Sequence, residues 1–194
     1  MDFPDNARKS HSSPVTSAGG LIIFPYITCA LLYLSFLSFI KLKILFIWIF
    51  LYLTFFLTGI IDDKIHLKAK SKTFILLLIL FIILPLDNSL VVSILDFKDI
   101  KYVIVLNQGA LFFTIFCVYL FYNSLNFSDG LNGISLTVCL YFVIVIILTQ
   151  NELNVFHYSI LISIFITLIP NLFGKIFIGN SGINSLACIL FLLF

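Results

Sequence analysis

Long apolar stretches separated by short polar loops organise this chain. Uncharged runs occupy residues 21–40, 44–61, 73–86, 102–122, 133–149 and 153–173, and a last one starts at 183 and reaches Phe194. At 1.5 Å of rise per residue, about 20 apolar residues cross a 30 Å hydrocarbon core as a helix. Five of the six complete runs approach that length, whereas 73–86 is short and spans only if Asp87 and its neighbours sit at an interface. The pattern predicts an all-α fold, a polytopic membrane helix bundle with six complete transmembrane helices plus the start of a seventh, and a chain that is a fragment of a longer one. Pro85 and Pro170 fall near run ends, where a kink or a stop costs little. Residues 1–20 are polar and precede the first apolar run, the wrong order for a signal peptide, so they read as a loop.

Composition agrees with the pattern. The 194 residues are 61% hydrophobic and only 10% charged, with a mean hydropathy of +1.18, whereas a soluble domain carries about 25% charged residues. The formal charge of +2, from 11 Lys and Arg against 9 Asp and Glu, is too small for a nucleic-acid footprint. Cys29, Cys117, Cys139 and Cys188 lie inside apolar stretches without a CxxC spacing and read as small apolar fillers rather than a disulfide framework or a zinc site. No repeat or low-complexity linker divides the chain, so residues 1–194 read as a single membrane domain, a loop over 1–20 followed by spans and short loops over 21–194.

Alternation of the spans places loops 1–20, 62–72, 123–132 and 174–182 on one side, with seven Lys and Arg. Loops 41–43, 87–101 and 150–152 lie on the other, with four. The positive-inside bias makes the first set cytoplasmic. Every group with candidate chemistry falls on that face.

The opening loop contains Arg8, Lys9 and His11, then Gly19-Gly20 at the mouth of the first span, which suits a phosphate held at the membrane surface. Arg and Lys beside a first span also serve as plain topology determinants. Asp62-Asp63 ends the second span; adjacent carboxylates repel unless they share a cation, which makes magnesium a natural resident beside a diphosphate. Of the cations that follow, Lys64, His66, Lys68, Lys70 and Lys72, one or two suit phosphate contact and most suit lipid. Asn123, Asn126 and Asp129 recur every three residues and share a helix face, with amides able to read a nucleobase or a sugar amide and a carboxylate able to hold a metal. The loop from Gly174 to Gly182 offers three glycines, Lys175, Asn180 and Ser181, and backbone N–H groups that can cradle phosphate oxygens. His157 lacks an acidic partner in register and is assigned no role.

Together these segments resemble the polyprenyl-phosphate N-acetylhexosamine-1-phosphate transferase family, which includes the phospho-N-acetylmuramoyl-pentapeptide transferases. Asp2, Pro4, Arg8, Lys9, His11, Pro14, Gly19 and Gly20 match the family's opening pattern, and Asp62 and Asp63 its carboxylate pair. Asn123, Asn126, Asp129, Gly130, Leu131 and Gly133 match its third motif, and Lys175, Ile176, Phe177, Gly179, Ser181 and Gly182 its fourth. The Arg8-Lys9-x-His11 opening is more similar to the branch that initiates surface polymers than to the muramoyl-pentapeptide branch.

The resemblance implies an integral enzyme of the bacterial inner membrane with a cytoplasmic active face, acting on a UDP-sugar and a polyprenyl phosphate with release of UMP and dependent on Mg2+. It implies Asp62, Asp63 and Asp129 as the catalytic carboxylates. Arg8, Lys9, His11, Asn123, Asn126 and Lys175 would bind substrate, and Asp62, Asp63, Asp129 and Asn180 the metal. Position 180 departs from the pattern, being Asn180 where the family has Asp. Two other readings are an inactive remnant that still binds lipid phosphate or UDP-sugar, and a transporter fragment. A transporter places ionisable groups near the bilayer midplane, whereas here they lie at span ends.

Overall fold

A computed structural model describes residues 16–37, 41–97, 100–129, 132–150 and 154–193. Asp2, Pro4, Arg8, Lys9, His11 and Pro14 of the opening loop, and Gly130 and Leu131, lie outside the described residues. The helices are α1 (Gly19–Phe36), α2 (Leu42–Ile65), α3 (Ala69–Ile83), α4 (Ala110–Ser128), α5 (Ile134–Gln150), α6 (Val155–Leu172) and α7 (Gly179–Leu193). They form a membrane helix bundle, as the apolar runs predict. Among the described residues, five helical segments, Gly19–Phe36, Leu42–Ile65, Ala69–Leu86, Asn107–Ser128 and Val155–Leu172, are long and apolar enough to cross a bilayer, and α5 and α7 are shorter apolar helices.

The last helix departs most from its expected part. Read along the chain it is the start of one more span, yet α7 is the axis of the bundle. Residues Ser181 to Leu190 are buried without interruption, and α1, α2, α4 and α5 all pack on it. A helix of about 22 Å that neighbours cover on every side needs no lipid contact of its own, and its buried Asn184 and Ser185 find partners inside the bundle. Between spans in lipid the close packing of small residues replaces the hydrophobic effect as the attraction. Here Gly59 of α2 lies so near α7 that a Cβ on it would stand 2.4 Å from the Ser181 Cα.

The run at 102–122 also differs from its reading. Its first residues, Tyr102–Val105, form strand β3, which pairs antiparallel with β2 (Ile94–Phe97) in the register Ile94↔Val105 and Phe97↔Tyr102. The Tyr-Val-Ile-Val segment is β-branched and aromatic, and Lys101 takes a left-handed turn conformation (φ 50°) that reverses the chain before it. The helical part starts only at Asn107.

At the other end of the bundle, β1 (Thr16–Ser17) pairs parallel with β4 (Ile176–Phe177). The Gly20 N–H also donates to the Ile178 carbonyl at 3.2 Å. These contacts draw the residues before α1 against the loop that opens α7. His157, assigned no role, is buried at the start of α6, where Asn154 and His157 form a reciprocal N-terminal cap.

Candidate functional site

The site begins with a turn. Helix α2 ends on His66 in the left-handed conformation (φ 53°), its N–H donating to the Asp62 carbonyl. The Leu67 N–H donates to Asp62 Oδ1 at 2.9 Å. Asp62 therefore closes its own turn and is held there, 6% exposed. One residue on, Asp63 faces the start of α7. Its Oδ1 accepts from the Asn180 N–H at 2.7 Å and from Asn180 Nδ2 at 3.1 Å, and its Oδ2 accepts from the Ser181 N–H at 3.1 Å. The first N–H groups of a helix lack intrahelical acceptors and carry the positive end of its dipole, so a carboxylate is a favourable cap. Gly179, with φ at +70°, allows the sharp entry: a Cβ there would lie 3.0 Å from Asp63 Oδ2 and would strain the backbone as well. The N–H groups of the 174–182 loop were expected to cradle phosphate. Those of Asn180 and Ser181 are instead taken by Asp63.

Lys72, on the first turn of α3, ties these pieces together. Its Nζ lies 2.6 Å from Asp62 Oδ2, 2.8 Å from Asn180 Oδ1 and 3.3 Å from Asn126 Oδ1. It also sits 5.5 Å above the Tyr122 ring centroid, in cation–π range. An ammonium at a helix N-terminus opposes the dipole, and the buried Asp62 carboxylate offsets that. Lys72 is one of five cations after Asp63 of which one or two suit phosphate contact and most suit lipid, and the sequence does not single it out. Its place in the first turn of α3 aims its side chain back towards the end of α2, but Lys70 shares that turn, so the position alone does not mark it.

Asp129 closes α4 beside this cluster, accepting from Ser135 Oγ at 3.2 Å. Burial lifts its carboxyl well above the ordinary range, and the neighbouring Asp63 charge adds to the rise. Ser135 and Lys72 oppose it, and the balance stands pushed up to about 7. The folded state thus holds this proton more tightly than the unfolded chain, whose Asp titrates near 3.8. Asp129's contribution to stability is therefore greatest below that value and falls as pH rises to about 7. Asp129→Asn is expected to flatten this stretch of the pH–stability curve, and Ser135→Ala to carry the titration to higher pH. Carboxyl infrared difference spectra check the second; a curve unchanged by Asp129→Asn would assign the slope elsewhere.

The remaining sequence candidates scatter. Asn123 Nδ2 turns back to the Tyr119 carbonyl at 3.1 Å, and Lys175 is exposed on the loop after α6, its N–H bonded to the Pro170 carbonyl. Two residues not singled out earlier matter for shape. Asn171 accepts from the Gly133 N–H at 2.6 Å and donates to the Ile176 carbonyl at 2.9 Å, clamping the α4–α5 turn to the α7 loop. Tyr122 supports Lys72.

The donor set does not fit a divalent ion as it stands. Among the described residues no three His, Cys, Asp or Glu side chains group closely enough to hold a metal. Both oxygens of Asp62 and both of Asp63 already accept from donors of the chain.

Residues 45–194 match the profile of Glycosyl transferase family 4, more than half of the chain. The chain belongs to that family. Phospho-N-acetylmuramoyl-pentapeptide-transferase of Prochlorococcus marinus strain MIT 9301 is 28% identical over 206 residues, covering 96% of this chain and 56% of the relative. The same-named protein of strain MIT 9215 is 30% identical over 142 residues, 68% of this chain and 38% of the relative. The chain thus spans about half or less of the length of the curated relatives it matches. Both carry the name of the muramoyl-pentapeptide branch, whereas the Arg8-Lys9-x-His11 opening resembles the polymer-initiating branch.

Proposed function

We propose that the protein transfers a sugar 1-phosphate, N-acetylhexosamine 1-phosphate foremost, from a UDP-sugar to a polyprenyl phosphate, initiating a cell-wall or surface polysaccharide. One observation carries the reading: in an apolar bundle, α2, α3, α4 and α7 deliver Asp62, Asp63, Lys72, Asn126 and Asn180 to one polar cluster at one end, with Asp129 beside it. The richer share of Lys and Arg in the loops of that end, seven against four, supports a cytoplasmic orientation in the inner membrane.

The chemistry follows from charge. A lipid phosphate oxygen forms a bond to the β-phosphorus of the UDP-sugar, and the bond from that phosphorus to the bridging oxygen breaks. UMP leaves with the bridging oxygen and its electron pair. A phosphate monoester is largely dianionic near neutral pH, so attack needs no base to remove a proton. The two reactants repel, and the cations that the resemblance implies as substrate contacts, Arg8, Lys9, His11 and Lys175, screen that repulsion. Asn123 and Asn126 supply amides for the nucleobase or the sugar amide. Asp129, titrating near pH 7, donates or accepts according to its proton.

UDP-N-acetylglucosamine labelled at the β-phosphorus tests the reading, given to the protein in nanodiscs with polyprenyl phosphate. Sugar-1-phosphate transfer carries the label into the lipid fraction and leaves unlabelled UMP. Simple sugar transfer leaves the label in water as UDP, and that result would replace the proposed reaction by another.

A further inference from the structure

The resemblance implies a divalent cation among Asp62, Asp63, Asp129 and Asn180, and the first two and Asn180 already accept from donors of the chain, a pairing that itself suggests what holds the cation's place. Lys72 carries three N–H donors and no acceptor. Three oxygens meet it, Asp62 Oδ2 at 2.6 Å, Asn180 Oδ1 at 2.8 Å and Asn126 Oδ1 at 3.3 Å, and the Tyr122 ring closes a further side. Asn180 completes the arrangement in a way a carboxylate cannot. Its Oδ1 accepts from Lys72 while its Nδ2 donates to Asp63 Oδ1 at 3.1 Å. The opposite amide orientation would set an N–H2 against an ammonium and a carbonyl against a carboxylate, so the network admits one orientation. An aspartate at 180 would set two carboxylates face to face, the condition that invites a shared cation.

We infer that in this chain Lys72 fills the seat of the divalent cation, with Asn180 as the matching neutral link, so that the ammonium and the first N–H groups of α7 together answer Asp62 and Asp63 without a metal. The inference builds on the proposed function for its setting, since it concerns how that same site neutralises phosphate. A hard divalent ion needs several oxygen ligands with little competition from N–H donors. Here it would have to displace Lys72 from Asp62 and Asn180, leaving the ammonium without its acceptors in a mostly buried place.

Mn2+ alone is the probe, followed by its electron paramagnetic resonance signal on the full chain in nanodiscs without substrate. Only the portion of bound Mn2+ that Asp63→Asn abolishes is counted. The wild-type protein is expected to show no such binding at about 1 mM Mn2+, the weak end of protein sites for hard divalent ions. Asn180→Asp, which removes the neutral link and keeps the backbone donors to Asp63, is expected to bind, and so is Lys72→Met. Should Lys72→Met fail to fold, Asn180→Asp carries the test alone, with circular dichroism as the check on its fold. Wild-type binding that is lost with Asp63→Asn overturns the inference, and so does a folded Asn180→Asp protein that binds nothing. Because no substrate is present, a negative transfer assay leaves this result unaffected, and metal binding by the wild type would leave the transfer reading intact.

Discussion

Lys72→Ala is expected to destabilise the bundle by about 3–5 kcal/mol, the usual cost of removing one partner of a buried ion pair. The loss is large because Asp62, 6% exposed, keeps its charge with the Leu67 N–H as its remaining donor among the described residues, and Asn126 and Asn180 lose their shared donor. The effect reaches past one residue, since Lys72 joins α3 to the end of α2, to α4 and to the start of α7. Lys72→Arg is expected to recover part of the loss, because a planar guanidinium keeps the charge but meets the three oxygens less well than a compact ammonium. Unfolding by sodium dodecyl sulfate in chelator-treated bicelles measures both. A Lys72→Ala loss below about 1 kcal/mol, the level of a solvated surface pair, would show that Asp62 is hydrated and that the cluster does not depend on Lys72.

Gly59→Leu is expected to separate α2 from α7 and cost at least about 3 kcal/mol, the upper part of the range for overpacked sites. A Cβ at 59 alone would stand 2.4 Å from the Ser181 Cα and 2.6 Å from the Asn180 carbonyl oxygen. These are backbone atoms, with no flexible side-chain end to yield. The same displacement would pull Asp63 away from the Asn180 and Ser181 N–H groups, so the polar cluster and the helix packing fail together. Gly109→Leu is the control, since a Cβ there meets nothing within 4 Å. Equal stability of the two variants in the same bicelle assay would show that α2 and α7 can part without cost.

Much of the candidate site was legible in the residues alone. Asp62-Asp63, the three-residue spacing of Asn123, Asn126 and Asp129, and the Gly174–Gly182 segment are polar groups at the ends of apolar runs, and such groups stand out because lipid tolerates so few of them. Lys72 was less legible. Among five neighbouring cations, Lys64, His66, Lys68, Lys70 and Lys72, the one turned inward is chosen by the left-handed turn at His66 and by the angle between α2 and α3. Nothing in the local composition sets that angle. Asn171 was hidden for a similar reason, because its two partners, Gly133 and Ile176, come from loops on either side of two antiparallel helices.

The sequence by itself determined that this chain is a membrane helix bundle whose candidate polar groups sit at span ends. Hydropathy and span parity are sums over local residues, and the backbone in lipid has few alternatives to a helix. Tertiary structure alone decided which helix lies at the centre and which donors answer which carboxylates. Helix α7 reads like any other apolar run, and its place as the axis follows from close approach at Gly59 and from packing by α1, α2, α4 and α5. Once α7 stands there, its first N–H groups meet Asp63, and Asn180 is left between Asp63 and Lys72. Hydrogen-bond partners more than 100 positions apart in the chain depend on how helices pack in three dimensions, which no local pattern of residues encodes.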